Sequence, residues 1–368
     1  MSSIEEFIVP WVRDSQAYNA DHSDFAWNNL HLTRLMSNEN PFPPSERVIQ
    51  AIVEAAHLGN LYPGTGPELR TRLGAMVGLG PENIVIGNGS TDIVNIVLET
   101  FVPPEHEVII PTPTFSMYGT RARIKGGVPV QIPMTKDFYW DIAAISEAVS
   151  PRTRLIFICS PNNPTGNQIA VEDLLSILDL GLPTFLDEAY FELEESPLSR
   201  VELITSYPWL MVNRTFSKSF GLAGFRIGYL ICEQTLANYI NRVRLPWNVS
   251  QLAIAAALAA LDDQETQELH RAQILKERQN LFHGINKIQS LRALPTEGNF
   301  LLIDARGLGL TSEEIVSAML KKGVVIRSMA SSQAMEGFVR VTVGTEEQNR
   351  EFLQALRELA EETILVGR

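Results

Sequence analysis

From about residue 45 onward, short apolar runs ending in polar turn residues alternate with amphipathic stretches. ENIVIGNG, EVIIPTP, RLIFICSP, LPTFLDEAY, WLMVNRT and FRIGYLI read as strands. Each is rich in β-branched or aromatic residues and closes on Gly, Pro, Asp, Asn, Ser or a polar turn. Pro44 to Leu58 and TDIVNIVLETF carry helical periodicity. Strands apolar on both faces, alternating with helices, predict a mostly parallel sheet covered on both sides. The pattern changes near Pro246. Ser250 caps a long helix that starts at Gln251 and runs, with a bend, towards Lys287. NFLLIDA, VVIRSM and FVRVTVG then read as three short strands, with a helical segment between the first two. Glu346 to Glu361 is an amphipathic helix with Phe352, Leu353, Leu356 and Leu359 on one face. The expected fold is α/β: a three-layer large domain over residues 44–248 and a smaller α+β domain over 249–368, entered by the long helix. Residues 1–43 form an N-terminal arm that joins the small domain.

The chain's 368 residues exceed what one ordinary core organises, which agrees with that division. Apolar residues make up 45% and charged residues 20%, the composition of a globular protein. A formal net charge of −13 argues against nucleic acid and anionic membrane as partners. It leaves room for an anionic small molecule held by a few Arg in a cleft. Cys159 and Cys232 lie in apolar runs and read as buried strand residues. No disulfide framework is implied, and a cytoplasmic setting is expected. MSSIEEFIVPW has no basic segment before an apolar stretch, so no secretory signal is expected. The six histidines are scattered without ligand spacing, and no metal is expected.

Ligands of parallel sheets bind beyond the carboxyl ends of the strands, so the residues just after each strand are informative. Asn88-Gly89-Ser90-Thr91 opens a helix, and a glycine turn with free N–H groups there makes an anion site. An ordinary capped glycine turn reads the same way. Ser160 to Gly166, SPNNPTG, is a rigid turn that holds Asn162 and Asn163 at a strand end. Asp187, at the end of the apolar PTFL run, is costly to bury unless it meets a cation; the alternative is a helix cap. Lys218 sits between apolar and small residues at another strand end, where desolvation lowers an amine's pKa and suits it to Schiff-base chemistry. A lone Lys is more often a solvated surface charge. Arg226, in the same glycine-rich loop system, is placed to pair with a phosphate.

Taken in order, SNENPF (37–42), YPGTG (62–66), GNGSTD (87–92), PTFSMY (113–118), SPNNPTG (160–166), LDEAY (186–190), FSKSFGLAGFRIGY (216–229) and VRVTVG (339–344) resemble the fold-type I, pyridoxal-phosphate-dependent aminotransferases of class I/II. The resemblance is strongest to the histidinol-phosphate aminotransferase branch and covers nearly all of the chain beyond residue 35. It implies pyridoxal 5'-phosphate as cofactor. Lys218 would carry it and move the proton during transfer. Asp187 would hold the ring nitrogen protonated, while Asn163 and Tyr190 would bond the ring oxygen. Phe115 would stack on the ring. Gly89, Ser90, Thr91, Ser217 and Arg226 would bind the phosphate, joined by Tyr62 of a second subunit, so a homodimer with shared sites is implied. Arg340 would grip the substrate's acidic group, with Arg327, Asn40 and Tyr118 nearby.

The expected reaction moves an amino group between an amino acid or amine and a 2-oxo acid, with histidinol phosphate and 2-oxoglutarate as the first pair. FAWNNLHLTRLMSNENP lacks the aromatic-Pro-Gly segment that histidinol-phosphate enzymes carry early in the chain. An aromatic or specialised amino acid aminotransferase, or a decarboxylase of the threonine-phosphate type, is therefore kept as an alternative.

Overall fold

The structure, a computed structural model, describes residues 4–15, 21–197, 199–330 and 333–366. Residues 1–3, 16–20, 198, 331–332 and 367–368 lie outside them. Thirteen strands are present among the described residues. They are β1 Thr33–Arg34, β2 Ile84–Gly87, β3 Glu107–Thr112, β4 Val128–Pro133, β5 Thr153–Cys159, β6 Thr184–Asp187 and β7 Leu210–Thr215. They continue as β8 Gly228–Ile231, β9 Arg292–Ala293, β10 Phe300–Asp304, β11 Val324–Val325, β12 Arg327–Ser328 and β13 Phe338–Thr342.

Seven of them form one sheet in the order β2-β8-β7-β6-β5-β3-β4. Pairs from β7 to β4 are parallel, whereas β8 runs antiparallel to both β7 and β2. Alternation explains the layers. Ile84, Ile86, Ile156, Ile158, Leu210 and Val212 enter one core, while Val85, Leu155, Phe157, Met211 and Leu230 enter another on the opposite face. Burying each such side chain contributes about 1.5–3 kcal/mol. Edge strand β4, VPVQIP, is not among the strands expected from the sequence. Most of its residues are partly or fully exposed, so it lacks the apolar run that marks its neighbours.

A second sheet, β12-β13-β10-β9, is antiparallel and packs on the helices Gln264–Asn286, Ser312–Lys321 and Glu346–Val366 through a core that includes Leu35, Ile274, Phe300, Val339, Phe352 and Leu356. The arm joins this body: β1 pairs in parallel with β11. The long helix expected after Ser250 is two helices, Gln251–Asp262 and Gln264–Asn286, broken at Asp263. Ser250 accepts from the Ala253 N–H and caps the first, as its sequence position suggested. The first helix buries seven side chains beside the large sheet, and the second turns its apolar face to the small one.

Candidate active site

The carboxyl ends of β3, β5, β6 and β7 open into a cavity of about 1650 Å³ between the two sheets. Asp187, the last residue of β6, lies on its floor and is buried. Asn213 donates to Asp187 Oδ1 at 2.8 Å and Tyr118 donates to Oδ2 at 2.5 Å. Burial raises this carboxyl's pKa, while the two donors and the nearby Lys218 act to lower it.

Lys218 follows β7 and faces the same cavity. Its Nζ donates to the carbonyls of Ser37 at 3.2 Å and Asn38 at 3.0 Å. Burial, reinforced by the Arg340 cation, pulls the amine's pKa down to about 8. Phe115 also lines the cavity, edge-on to Tyr118 with ring centroids 5.5 Å apart.

The anion cradle expected at the start of the helix Ser90–Phe101 is built from three chain segments. Ser90 and Thr91 line the cavity, with Ser217 and Arg226 opposite. A Cβ on Gly89 would lie 2.4 Å from the Arg226 guanidinium, and one on Gly228 would lie 2.8 Å from the Ser90 N–H. Both positions must therefore be glycine for the guanidinium and the helix N-terminus to meet. Arg226 itself sits at φ 56°, held by a bond from its NH1 to the Ala223 carbonyl at 3.0 Å.

In the SPNNPTG turn, Asn162 is the staple. Its amide donates to Pro113 O and Thr165 Oγ1 and accepts from Thr114. Asn163 is left facing the cavity, where its carbonyl oxygen accepts from Arg340 at 2.5 Å. Arg340 also donates to Met36 O at 2.8 Å. Arg327, on β12, stands directly across from Arg340 on β13, and both line the cavity.

Two expectations change. Tyr118 is not a pocket residue: it is fully buried, stacked on Phe157 at 4.6 Å, and its hydroxyl is spent on Asp187. Asn40 is outside the cavity lining, and its amide donates to the backbone carbonyls of Lys218 and Ser219, fixing the lysine's loop. Tyr62, expected to serve a second subunit, is outside this chain's own cavity lining. It is 79% exposed and stacks on Trp247 at 4.4 Å.

Sequence reasoning also missed Asn38, which donates to the Tyr190 hydroxyl at 2.9 Å, and Asn213. Asn213 was open to detection: a polar residue inside the apolar run WLMVNRT, one strand over from Asp187. The two cysteines are free and buried, as expected.

A buried acid flanked by donors, a depressed amine and a cation-lined glycine cradle on one cavity fit the ring nitrogen, the aldehyde carbon and the phosphate of pyridoxal 5'-phosphate. This combination, at the carboxyl end of a seven-stranded sheet, defines a pyridoxal-phosphate-dependent transferase of fold type I. Comparison with known proteins gives the family. The model of the aminotransferase class I and II family matches residues 31–356, and the chain belongs to that family.

The chain is 38% identical over 333 residues to a histidinol-phosphate aminotransferase of Moorella thermoacetica, covering 89% of this chain and 85% of that one. It is 33% identical to histidinol-phosphate aminotransferase 2 of Archaeoglobus fulgidus, covering 98% and 100%. Among solved structures, the histidinol-phosphate aminotransferase of Clostridium acetobutylicum superimposes with a TM-score of 0.82 at 26% identity, over 89% of this chain and 99% of that one.

Proposed function

We propose that the protein transfers an amino group between histidinol phosphate and 2-oxoglutarate. One observation carries the substrate class: Arg327 and Arg340 oppose each other across an antiparallel pair, both facing the cavity that holds Lys218. Like charges at directly opposed positions are unfavourable. An anionic group of the substrate reverses that cost, and a phosphate suits paired guanidiniums. The histidinol-phosphate aminotransferases among the relatives point to the same anion.

In this reading the cofactor supplies an electron sink for the substrate's Cα. Lys218 carries it and moves the proton at Cα. Asp187 keeps the ring nitrogen protonated. Asn163 and Tyr190 bind the ring oxygen, and Phe115 covers one ring face. The cradle of Gly89, Ser90, Thr91, Ser217 and Arg226 takes the phosphate.

A second copy of the chain completes the site. Leu61, Tyr62, Leu245 and Trp247 are between 55% and 79% exposed, and Tyr62 stacks on Trp247, so large apolar side chains stand in water here of the kind that marks an interaction surface. A homodimer covers it and delivers Tyr62 to the neighbour's phosphate.

Single half-turnovers test the reaction. Holoenzyme mixed with histidinol phosphate, and separately with glutamate, should lose its visible absorption in both cases and release the matching oxo product. Carbon dioxide release without that loss points instead to decarboxylation. Response to glutamate and aromatic amino acids but not to histidinol phosphate discards the substrate assignment.

A further inference from the structure

Residues Met36 to Asn38 of the arm bond to three side chains of the cavity, Arg340, Lys218 and Tyr190. The Met36 carbonyl accepts from Arg340, and the Ser37 and Asn38 carbonyls accept from Lys218. Asn38 is 1% exposed and sits at φ 54°, a left-handed conformation that Asn tolerates better than most residues. Its carbonyl accepts again from Asn299 Nδ2 at 3.2 Å.

The orientation of the Asn38 amide follows from its neighbours. The Asn38 backbone N–H donates to Thr342 Oγ1 at 2.9 Å. The Thr342 hydroxyl proton is then free to be donated, and Asn38 Oδ1 lies 3.4 Å away as its acceptor. The amide nitrogen therefore faces Tyr190 and donates to its oxygen at 2.9 Å. A phenol has one proton. Because Asn38 acts as donor, that proton is not used between the two residues. Tyr190 lines the cavity, and burial raises its pKa, so it remains a neutral donor throughout the working range.

We infer that Asn38 is a positioning residue: by donating to the Tyr190 oxygen, it turns the Tyr190 proton towards the ring oxygen of the bound cofactor. This rests on the cofactor reading above. The consequence is electrostatic. When the Lys218–cofactor linkage loses its proton, the ring oxygen loses a donor and carries more negative charge. A hydrogen bond from Tyr190 stabilises that form more than the protonated one. A correctly aimed Tyr190 thus lowers the pH at which the linkage titrates, and a misdirected one raises it.

The pH midpoint of the holoenzyme's visible absorption tests this. Asn38→Gly accepts the same φ and removes only the side chain. Its midpoint should rise, by about half a pH unit or more. Asn38→Asp is nearly isosteric but presents an acceptor, which draws the Tyr190 proton away. Its midpoint should rise further and approach that of Tyr190→Phe. In a Tyr190→Phe background, Asn38→Gly should add almost nothing, because the residue it directs is gone.

A merely structural role would shift the midpoint equally in both backgrounds, or not at all, and either result overturns the inference. An Asn38→Asp midpoint equal to wild type does the same, independently of how Asn38→Gly folds. The cofactor reading fails separately: wild-type protein that gains no visible band with pyridoxal phosphate removes the premise.

Discussion

Tyr118 donates to Asp187 at 2.5 Å from beneath the cavity floor, where no substrate can reach it. It acts on the acid rather than on the reacting atoms. Its removal takes away one of the interactions that oppose the burial-driven rise in the Asp187 pKa. In Tyr118→Phe the carboxyl shifts further towards its neutral form and holds the ring nitrogen's proton less well. A hydrogen bond to a charged group contributes about 1.5–3 kcal/mol. The kcat of Tyr118→Phe should therefore fall by about tenfold to a hundredfold, with cofactor stoichiometry preserved. An unchanged kcat would show that Asn213 alone suffices.

Lys218 should behave as an unusual amine before any cofactor is added. Burial and the Arg340 cation disfavour its ammonium form, so the neutral amine prevails above pH about 8. Ordinary lysines reach that point only near 10.4, by the usual peptide value of about 10.4. In cofactor-free protein, an amine-selective reagent should modify Lys218 first, with a rate that rises through a midpoint near pH 8. Arg340→Gln should move that midpoint upward, because one of the charges opposing the ammonium is lost. Mass spectrometry of the labelled peptide reads both. A midpoint that stays with the surface lysines removes the electrostatic account.

Arg340→Lys separates binding from chemistry. The guanidinium spans Asn163 and Met36 O, a two-armed geometry that an ammonium cannot reproduce. KM for the amino donor should rise by about tenfold or more, since losing one charged hydrogen bond costs about 1.5–3 kcal/mol. A fall confined to kcat would place Arg340 in the chemistry instead.

The proposed sharing of sites between two chains can be read by complementation. Lys218→Ala and Tyr62→Ala are each expected to be impaired as homodimers. In a mixed dimer, one site carries both defects and the other carries neither, so such dimers should regain about half of wild-type activity per dimer. No recovery on mixing would mean that Tyr62 serves its own chain or none.

Much of this candidate site is legible in the sequence alone, for a physical reason. Asp187, Lys218 and Ser90 follow apolar strands, and a parallel sheet brings such strand ends together whatever the details of packing. The failures are residues whose roles depend on partners far along the chain. Tyr118 looks like a pocket aromatic from its place after β3. Only the stacking on Phe157 and the bond to Asp187, 69 residues away, put it under the floor. Asn38 acquires its role from Thr342, 304 residues on, and from a positive φ that no motif announces. Edge strand β4 was lost because it buries too little to leave an apolar signature.

The reversal of β8 has a consequence for how the site tolerates change. Because β8 returns alongside β7, with Thr215 paired to Gly228, the chain leaves the sheet after Thr215 and re-enters it at the same end of the strands. The amine of Lys218 and the guanidinium of Arg226 are thus carried on one short span whose two ends are pinned side by side. Their separation is set by the length of that span and not by how the two sheets are docked. A single residue inserted between Phe216 and Ile227 would therefore displace amine and guanidinium relative to one another.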